Sequence, residues 1–303
     1  MTVTRIRKKI IRIILGYPKT VSIQPIAYCT LDCEFCILKE LNFGKKSDKT
    51  IMYSTEFAKI TRDIYWWVDR IVFSGGEPLL NKDLGLMLSY ARSYKVKTIV
   101  VTNAQFIKDR LSDLIASPPD QLIIAYEPPS EKYKDQSEHI KYLKENRYGL
   151  PEIILRMVLT KKNVDRVDEF KRTAKEIADH GELKSFGIWP EGNEEYLKLM
   201  EEEYYIDHEI ARYKLKDGKI VFPRKPGKCT AINIDRHLSI KVDGSVLPCW
   251  YLTKPEPVGN AIKDNVSKFW FSKKYRARRK LMKYGQAEVE CERCLYRSVA
   301  EKV

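Results

Sequence analysis

No apolar run in this 303-residue chain approaches the roughly 18 residues needed to span a membrane, and no secretory signal is visible. A disulfide framework is excluded by arithmetic. The chain has seven cysteines, an odd number, gathered in two CxxC-type clusters, which points to metal ligation in a reducing cytoplasm. Acidic residues are missing from residues 1–20, where Arg5, Arg7, Lys8, Lys9, Arg12 and Lys19 give +6. They are scarce again over 264–283, where eight basic residues face only Asp264, whereas 193–210 carries seven acids against Lys198. The net charge of +14 is therefore concentrated near the two ends, which suit phosphate, anionic lipid or an acidic protein, or are simply solvated helix faces. No aromatic-plus-basic recognition motif accompanies this charge. A zinc-containing nucleic-acid-binding protein is the poorest of three function classes considered below.

What is present is a chain with 44% hydrophobic residues, long enough for one large core and one small one. Its most informative stretch is Cys29-Thr30-Leu31-Asp32-Cys33-Glu34-Phe35-Cys36. Three cysteines at this spacing offer three thiolates to one small object. A zinc ion and buried free thiols are the plain alternatives, but no fourth ligand lies close by. A [4Fe–4S] cube that only carries electrons takes four protein ligands, so a three-cysteine loop leaves one iron open to a cofactor or substrate. A second stretch, the apolar Ile71-Val72-Phe73 followed by Ser74-Gly75-Gly76-Glu77-Pro78, reads as a strand ending in a turn whose main chain can approach a ligand closely. Glu77 is placed to accept from an ammonium group.

Together the CxxxCxxC loop, with Phe35 before its last cysteine, and the Gly-Gly-Glu turn some 40 residues later resemble the radical S-adenosylmethionine (SAM) enzymes. The resemblance implies that Cys29, Cys33 and Cys36 hold a [4Fe–4S] cluster whose open iron is chelated by SAM. It also implies that Phe35, Gly75, Gly76, Glu77 and Pro78 contribute to SAM binding. Reduction of the cluster, by an external donor such as flavodoxin or ferredoxin, splits SAM into methionine and a 5′-deoxyadenosyl radical that abstracts a substrate hydrogen.

Along the chain, residues 3–15 have the spacing of a basic amphipathic helix, expected to pack on the following domain rather than lie on a membrane surface or an acidic partner. Strand and helix then alternate. Strands are expected at 21–28, 71–73, 98–101, 122–126, 153–159 and 185–189, with helices at 54–67, 82–94, 105–116, 131–146 and 164–180. This rhythm demands a parallel α/β sheet, and six units fit the partial (β/α)6 TIM-type barrel of the resembled family. In such barrels chemistry sits at the C-terminal strand ends. That makes Asn103, Glu127, Arg156 and Trp189 candidates for SAM or substrate contact, and Arg156, Glu127 and Glu191 candidates for acid–base work. A charged residue on a strand is also often paired structurally. The turn Tyr126-Glu127-Pro128-Pro129 departs from the Ser- or Asp-containing turn common at this place in the family.

After an acidic connector over 191–228 the β–α rhythm stops. Cys229, Cys249, Cys291 and Cys294 follow, with an alternating hairpin over 240–246 turning at Asp243-Gly244. Zinc and a fully ligated [4Fe–4S] cluster are both chemically allowed here. The hairpin running into Pro248-Cys249, with a late CxxC, resembles the twitch domain, a shortened SPASM domain. That resemblance implies one auxiliary [4Fe–4S] cluster in a small α+β unit over 229–303. The domain reading is thus 1–20 helix, 21–190 barrel, 191–228 connector and 229–303 auxiliary domain. All seven cysteines are then ligands, so none remains to quench a radical as in epimerases of this family. The expected reaction is oxidation of a small polar or anionic substrate, such as a sugar or aminocyclitol. A peptide or protein maturase is the second class, set lower because only some 20 residues precede the first strand.

Overall fold

The computed structural model describes residues 3–31, 33, 36, 49–127, 134–146, 152–185, 194–206, 214–216, 219–221, 237–249 and 256–283. Helix α1 (Val3–Leu15) leads into strand β1 (Thr20–Ile23). Then follow α2 (Ser54–Ile64), β2 (Arg70–Phe73), α3 (Leu84–Ser93), β3 (Lys97–Thr102), α4 (Ile107–Ala116), β4 (Gln121–Tyr126), α5 (Lys134–Glu145), β5 (Glu152–Leu159), α6 (Val167–Ile177) and β6 (His180–Ser185). Strands β1 to β6 pair in sequence order, every pair parallel, so the chain forms the expected open, six-stranded α/β partial barrel. Because successive side chains point to opposite faces, the central strands are apolar on both. Ile71, Phe73, Val100, Leu122, Ile124, Ile153 and Leu155 join the main core with the helices. Ile99, Ile123 and Ile154 form a separate inner cluster with Val72 and Val101.

Several boundaries differ from the sequence reading. The described sixth strand, His180–Ser185, begins five residues before the expected 185–189, of which 186–189 lie outside the described residues, and α6 ends at Ile177, where Ala178 turns extended. His-Gly-Glu-Leu-Lys-Ser has no apolar run, in keeping with the place of β6 at the edge of the sheet among the described residues. Gly181 fits it closely against the helix, since a β-carbon there would come 2.9 Å from Ala174 Cβ. The first strand stops at Ile23, and only Ile26 pairs again, in an isolated bridge with Ile51.

Of the connector, α7 (Glu194–Leu199) and a hairpin of β7 (Lys214–Lys216) and β8 (Lys219–Val221) are described. The C-terminal part contributes β9 (His237–Ile240), β10 (Ser245–Leu247), β11 (Gly259–Asn260), α8 (Val266–Trp270) and α9 (Lys273–Lys283). The expected hairpin is β9–β10. Gly244 turns it at φ +83°, and Asp243 Oδ1 accepts from Ser245 N at 2.9 Å. This hairpin continues the barrel sheet, because β9 lies parallel to β1 with Val21 opposite Leu238. Gln24, fully buried, reinforces the seam by donating its N–H to Ile240 O at 2.9 Å. No helix among the described residues is long and apolar enough to cross a membrane.

Candidate functional site

The two sequence motifs meet at the C-terminal ends of β1 and β2. Gly76 adopts φ +67°, a conformation that L side chains rarely take, and a β-carbon there would sit 2.5 Å from Tyr28 O and clash with Ile26 O. The Gly-Gly turn therefore lies directly on the backbone leading into Cys29. Glu77 N donates to Tyr28 O at 2.8 Å and Ser74 N to Ile23 O at 3.1 Å, which fixes one loop on the other. Pro78 opens a short 3-10 turn, Pro78–Leu80.

The Glu77 side chain does not do what the sequence suggested. Its carboxylate is turned into the protein, 1% exposed, rather than toward a ligand's ammonium group. Oε1 accepts from Thr102 Oγ1 at 2.6 Å and Leu79 N at 3.0 Å, and Oε2 accepts from Asn103 N at 2.7 Å. Burial pushes its pKa up to about 7, while those three donors pull the other way. Its work is to tie the end of β2 to the end of β3.

Asn103, as expected, lies beside the cluster loop. Its Nδ2 approaches Cys29 Sγ at 3.7 Å, and its Oδ1 accepts from Gln105 N at 3.0 Å. Thr30 Oγ1 donates to Gln105 Oε1 at 2.6 Å, a second link from the β3 end to the cysteine loop. The intervening Ala104 sits at φ +69°, a conformation unusual for a residue with a side chain.

One residue of this network was not foreseen. Gln136 on α5, 1% exposed, donates Nε2 to Asn103 O at 2.8 Å and to Ala125 O at 2.7 Å, and accepts from Glu127 N at 2.9 Å. It joins the ends of β3 and β4, and sets where Glu127 leaves the sheet. Tyr126 points the other way, packed on Phe170 of α6 with ring centroids 5.8 Å apart.

Arg156 is not an unpaired cation awaiting a carboxylate. It stands opposite Glu182 across β5–β6, donating Nε and Nη2 to Glu182 Oε2 at 3.0 and 2.8 Å. Lys184 Nζ lies 3.4 Å from the same oxygen. Partial burial of Glu182 raises its carboxyl, but Arg156 and then Lys184 outweigh that and hold it below the usual range. By strand alternation Arg156 shares the face of Ile154 and Val158, the inner side of the barrel. An arginine is not deprotonated in a protein, so Arg156 does not meet the expectation of an acid–base residue.

Cys29, Cys33 and Cys36 are half-buried and none is in a disulfide. Cys36 N donates to Cys33 O at 3.0 Å, so the second and third thiols lie on one turn. Burial pushes the Cys29 thiol up, with the Glu77 and Cys36 charges adding to the effect. Three cysteines on one loop at a strand end, with an amide N–H on the first sulfur, have the number and spacing for a cluster ligated by three thiolates, although among the described residues no three His, Cys, Asp or Glu side chains are gathered closely enough to hold a single metal ion. Cys249, two residues beyond β10, is described and half-buried. Phe35, Trp189, Glu191, Cys229, Cys291 and Cys294 lie outside the described residues.

Comparison with known proteins agrees with this geometry. Residues 23–164 match the radical SAM superfamily, and residues 229–295 match the iron–sulfur cluster-binding domain named SPASM. A curated relative, GTP 3′,8-cyclase of Clostridium botulinum (strain Okra), is 24% identical, with 77% of this chain and 82% of that protein covered. The fold is similar to that of Streptococcus suis SuiB bound to S-adenosylmethionine, with a TM-score of 0.67, 17% identity, and 99% and 81% of the two chains covered. It is also similar to BtrN in complex with AdoMet and 2-DOIA, with a TM-score of 0.56, 17% identity, and 91% and 92% covered.

Proposed function

Because the chain belongs to the radical SAM superfamily and carries a SPASM-type iron–sulfur domain, we propose that it oxidises a small polar substrate by two electrons, beginning with removal of a hydrogen atom. The observation that carries this reading is the division of the cysteines. Three lie at the end of β1, and the other four, Cys229, Cys249, Cys291 and Cys294, all fall within the matched iron–sulfur region 229–295. Three ligands leave an iron for SAM, four close an auxiliary [4Fe–4S] cluster, and no thiol is left over to return a hydrogen atom to the substrate. When bound, the first cluster and SAM supply the hydrogen-abstracting radical, and the auxiliary cluster supplies the electron acceptor.

The chain's own residues have separate tasks. The Gly75-Gly76-Glu77 turn offers main-chain groups to SAM, and Asn103 holds Cys29 in place. Arg156, with Glu182 and Lys184, gives the inner wall charges of both signs, suited to hydroxyl, amino or anionic groups of a sugar or aminocyclitol. The proton lost with the second electron passes to a carboxylate after a strand end, Glu127 or Glu191. The reductant is a small electron carrier such as flavodoxin or ferredoxin.

A second reading is oxidation or crosslinking of a peptide. It is supported by the likeness to SuiB, which has also been solved bound to its precursor peptide SuiA, with a TM-score of 0.65. The test is to reconstitute the enzyme anaerobically, confirm about eight irons and eight sulfides per chain, and offer aminocyclitols, peptides and GTP separately. The proposal expects 5′-deoxyadenosine and a product two hydrogens lighter with the first class. A response to peptide alone selects the second reading. A response to GTP, without net oxidation, removes both.

A further inference from the structure

Helix α1 packs on the barrel as expected, but with the opposite face from the one an amphipathic helix usually buries. It lies across the N-terminal ends of β2 and β3, the end away from the cysteine loop. Lys8 Nζ donates to Lys95 O at 3.4 Å, Arg12 Nη1 donates to Trp67 O at 3.2 Å, and Arg12 pairs with Asp69. Lys8 is buried, and that burial lowers its pKa. Meanwhile Ile6, Ile10, Ile13, Ile14 and Leu15 face outward, Ile13 and Ile14 at 71% and 72% exposure. Covering aliphatic side chains of this size removes apolar surface from water and is favourable. The ridge is therefore a large unused driving force, held outward by specific polar contacts beneath the helix.

Its surroundings indicate what covers it. Arg7, Lys9 and Lys19 are exposed on the helix and its exit, and residues 1–20 contain no acid. The turn after α1 is fixed to the second basic segment. Tyr17 meets Phe271 edge-on at 4.7 Å, and Trp270 Nε1 donates to Gly16 O at 2.9 Å. Helix α9 begins three residues after Trp270 and leaves Lys273, Lys274, Arg276 and Lys280 exposed. Of the acids near this face, Asp69 pairs with Arg12, Asp264 with Lys268, and Asp63 accepts from Val266 N. The fold thus joins two cationic segments from opposite ends of the chain beside one aliphatic ridge.

We propose that this face docks the enzyme on an anionic phospholipid surface. The ridge enters the boundary between headgroups and acyl chains, and the flanking cations meet phosphates. Docking at this end leaves the mouth of the barrel facing water.

The test is co-sedimentation of the full-length, cluster-loaded enzyme with vesicles of phosphatidylcholine alone or mixed with phosphatidylglycerol. Binding to the mixed vesicles is expected, with little to the neutral ones and a decline as salt rises. Ile13→Asp with Ile14→Asp should lower partitioning by roughly tenfold or more, leaving SAM cleavage without substrate unchanged. Lys273→Glu with Lys274→Glu should lower it roughly fivefold per charge. Failure to bind either vesicle overturns the proposal, as does binding indifferent to both double variants. So does a dimer in solution that the isoleucine variant converts to monomer, since a second copy of the chain is then the occupant.

Discussion

At the C-terminal ends of β1 to β4, neighbouring loops are joined by buried hydrogen bonds, whereas β5 and β6 are joined by half-exposed charges. Glu77, Asn103 and Gln136 each connect two strand ends, and every partner is a main-chain group, a short side chain or a cysteine. Arg156, Glu182 and Lys184 can exchange partners with water or a ligand without breaking the sheet. Removing a buried partner strands the other group at about 1–3 kcal/mol, while an exposed ion pair contributes about 0–1 kcal/mol. Under the proposed function, the difference suits a rigid half that holds cofactor and an adaptable half that meets substrate.

The sharpest way to break the rigid half is Gly76→Ala, which adds both backbone strain and a collision with two carbonyl oxygens. We expect destabilisation above about 4 kcal/mol, read as loss of cluster-loaded, folded enzyme in iron analysis and thermal melts. Gln136→Ala comes next. It leaves Glu127 N, Asn103 O and Ala125 O without their partner and should cost about 3 kcal/mol in denaturant unfolding.

The seam with the C-terminal hairpin gives a pH-dependent effect of intermediate size. His237 at the start of β9 lies 2.9 Å from Ser22 Oγ, and burial pushes its pKa from 6.5 down to about 4. Between those values the unfolded chain takes up the proton and the folded chain does not. Stability should therefore fall as the pH drops from 6.5 toward 4, by up to about 1.4 kcal/mol per unit. Above pH 6.5 His237 contributes nothing, and melting curves of His237→Gln should lack this slope.

The smallest effect on stability is expected from Arg156→Gln, below about 1 kcal/mol, with substrate-dependent 5′-deoxyadenosine formation reduced at least tenfold by the proposed orienting role. A large stability loss with unchanged turnover would erase the contrast between the two halves.

The parts of this design visible in the sequence are those with a local signal. Apolar runs such as 122–124 mark buried parallel strands, and two glycines before an acid mark a turn. Cysteine spacing marks a ligand loop. Gln136 was invisible because a buried glutamine in a charged helix looks like any solvated one. The start of β6 at His180 gives no apolar signal because a strand at the edge of the described sheet can be polar. Periodicity gave α1 two faces, but the face that packs was decided by Asp69 and two backbone carbonyls remote in sequence. Glu77 was recognised, yet its carboxylate was given to a ligand when three donors from its own and a neighbouring strand end claim it.

The parallel pairing of β1 with β9 also sets a schedule. Thr20 finds its partner His237 about 217 residues later in the chain. At a synthesis rate of about 5–20 residues per second, one edge of β1 stays uncovered for roughly 10–40 seconds after it emerges. A growing chain exposes that edge as a template for pairing with other strands. The C-terminal hairpin is therefore the last piece of the barrel sheet to close during synthesis, and truncation before residue 240 should yield a protein that aggregates rather than a free-standing barrel.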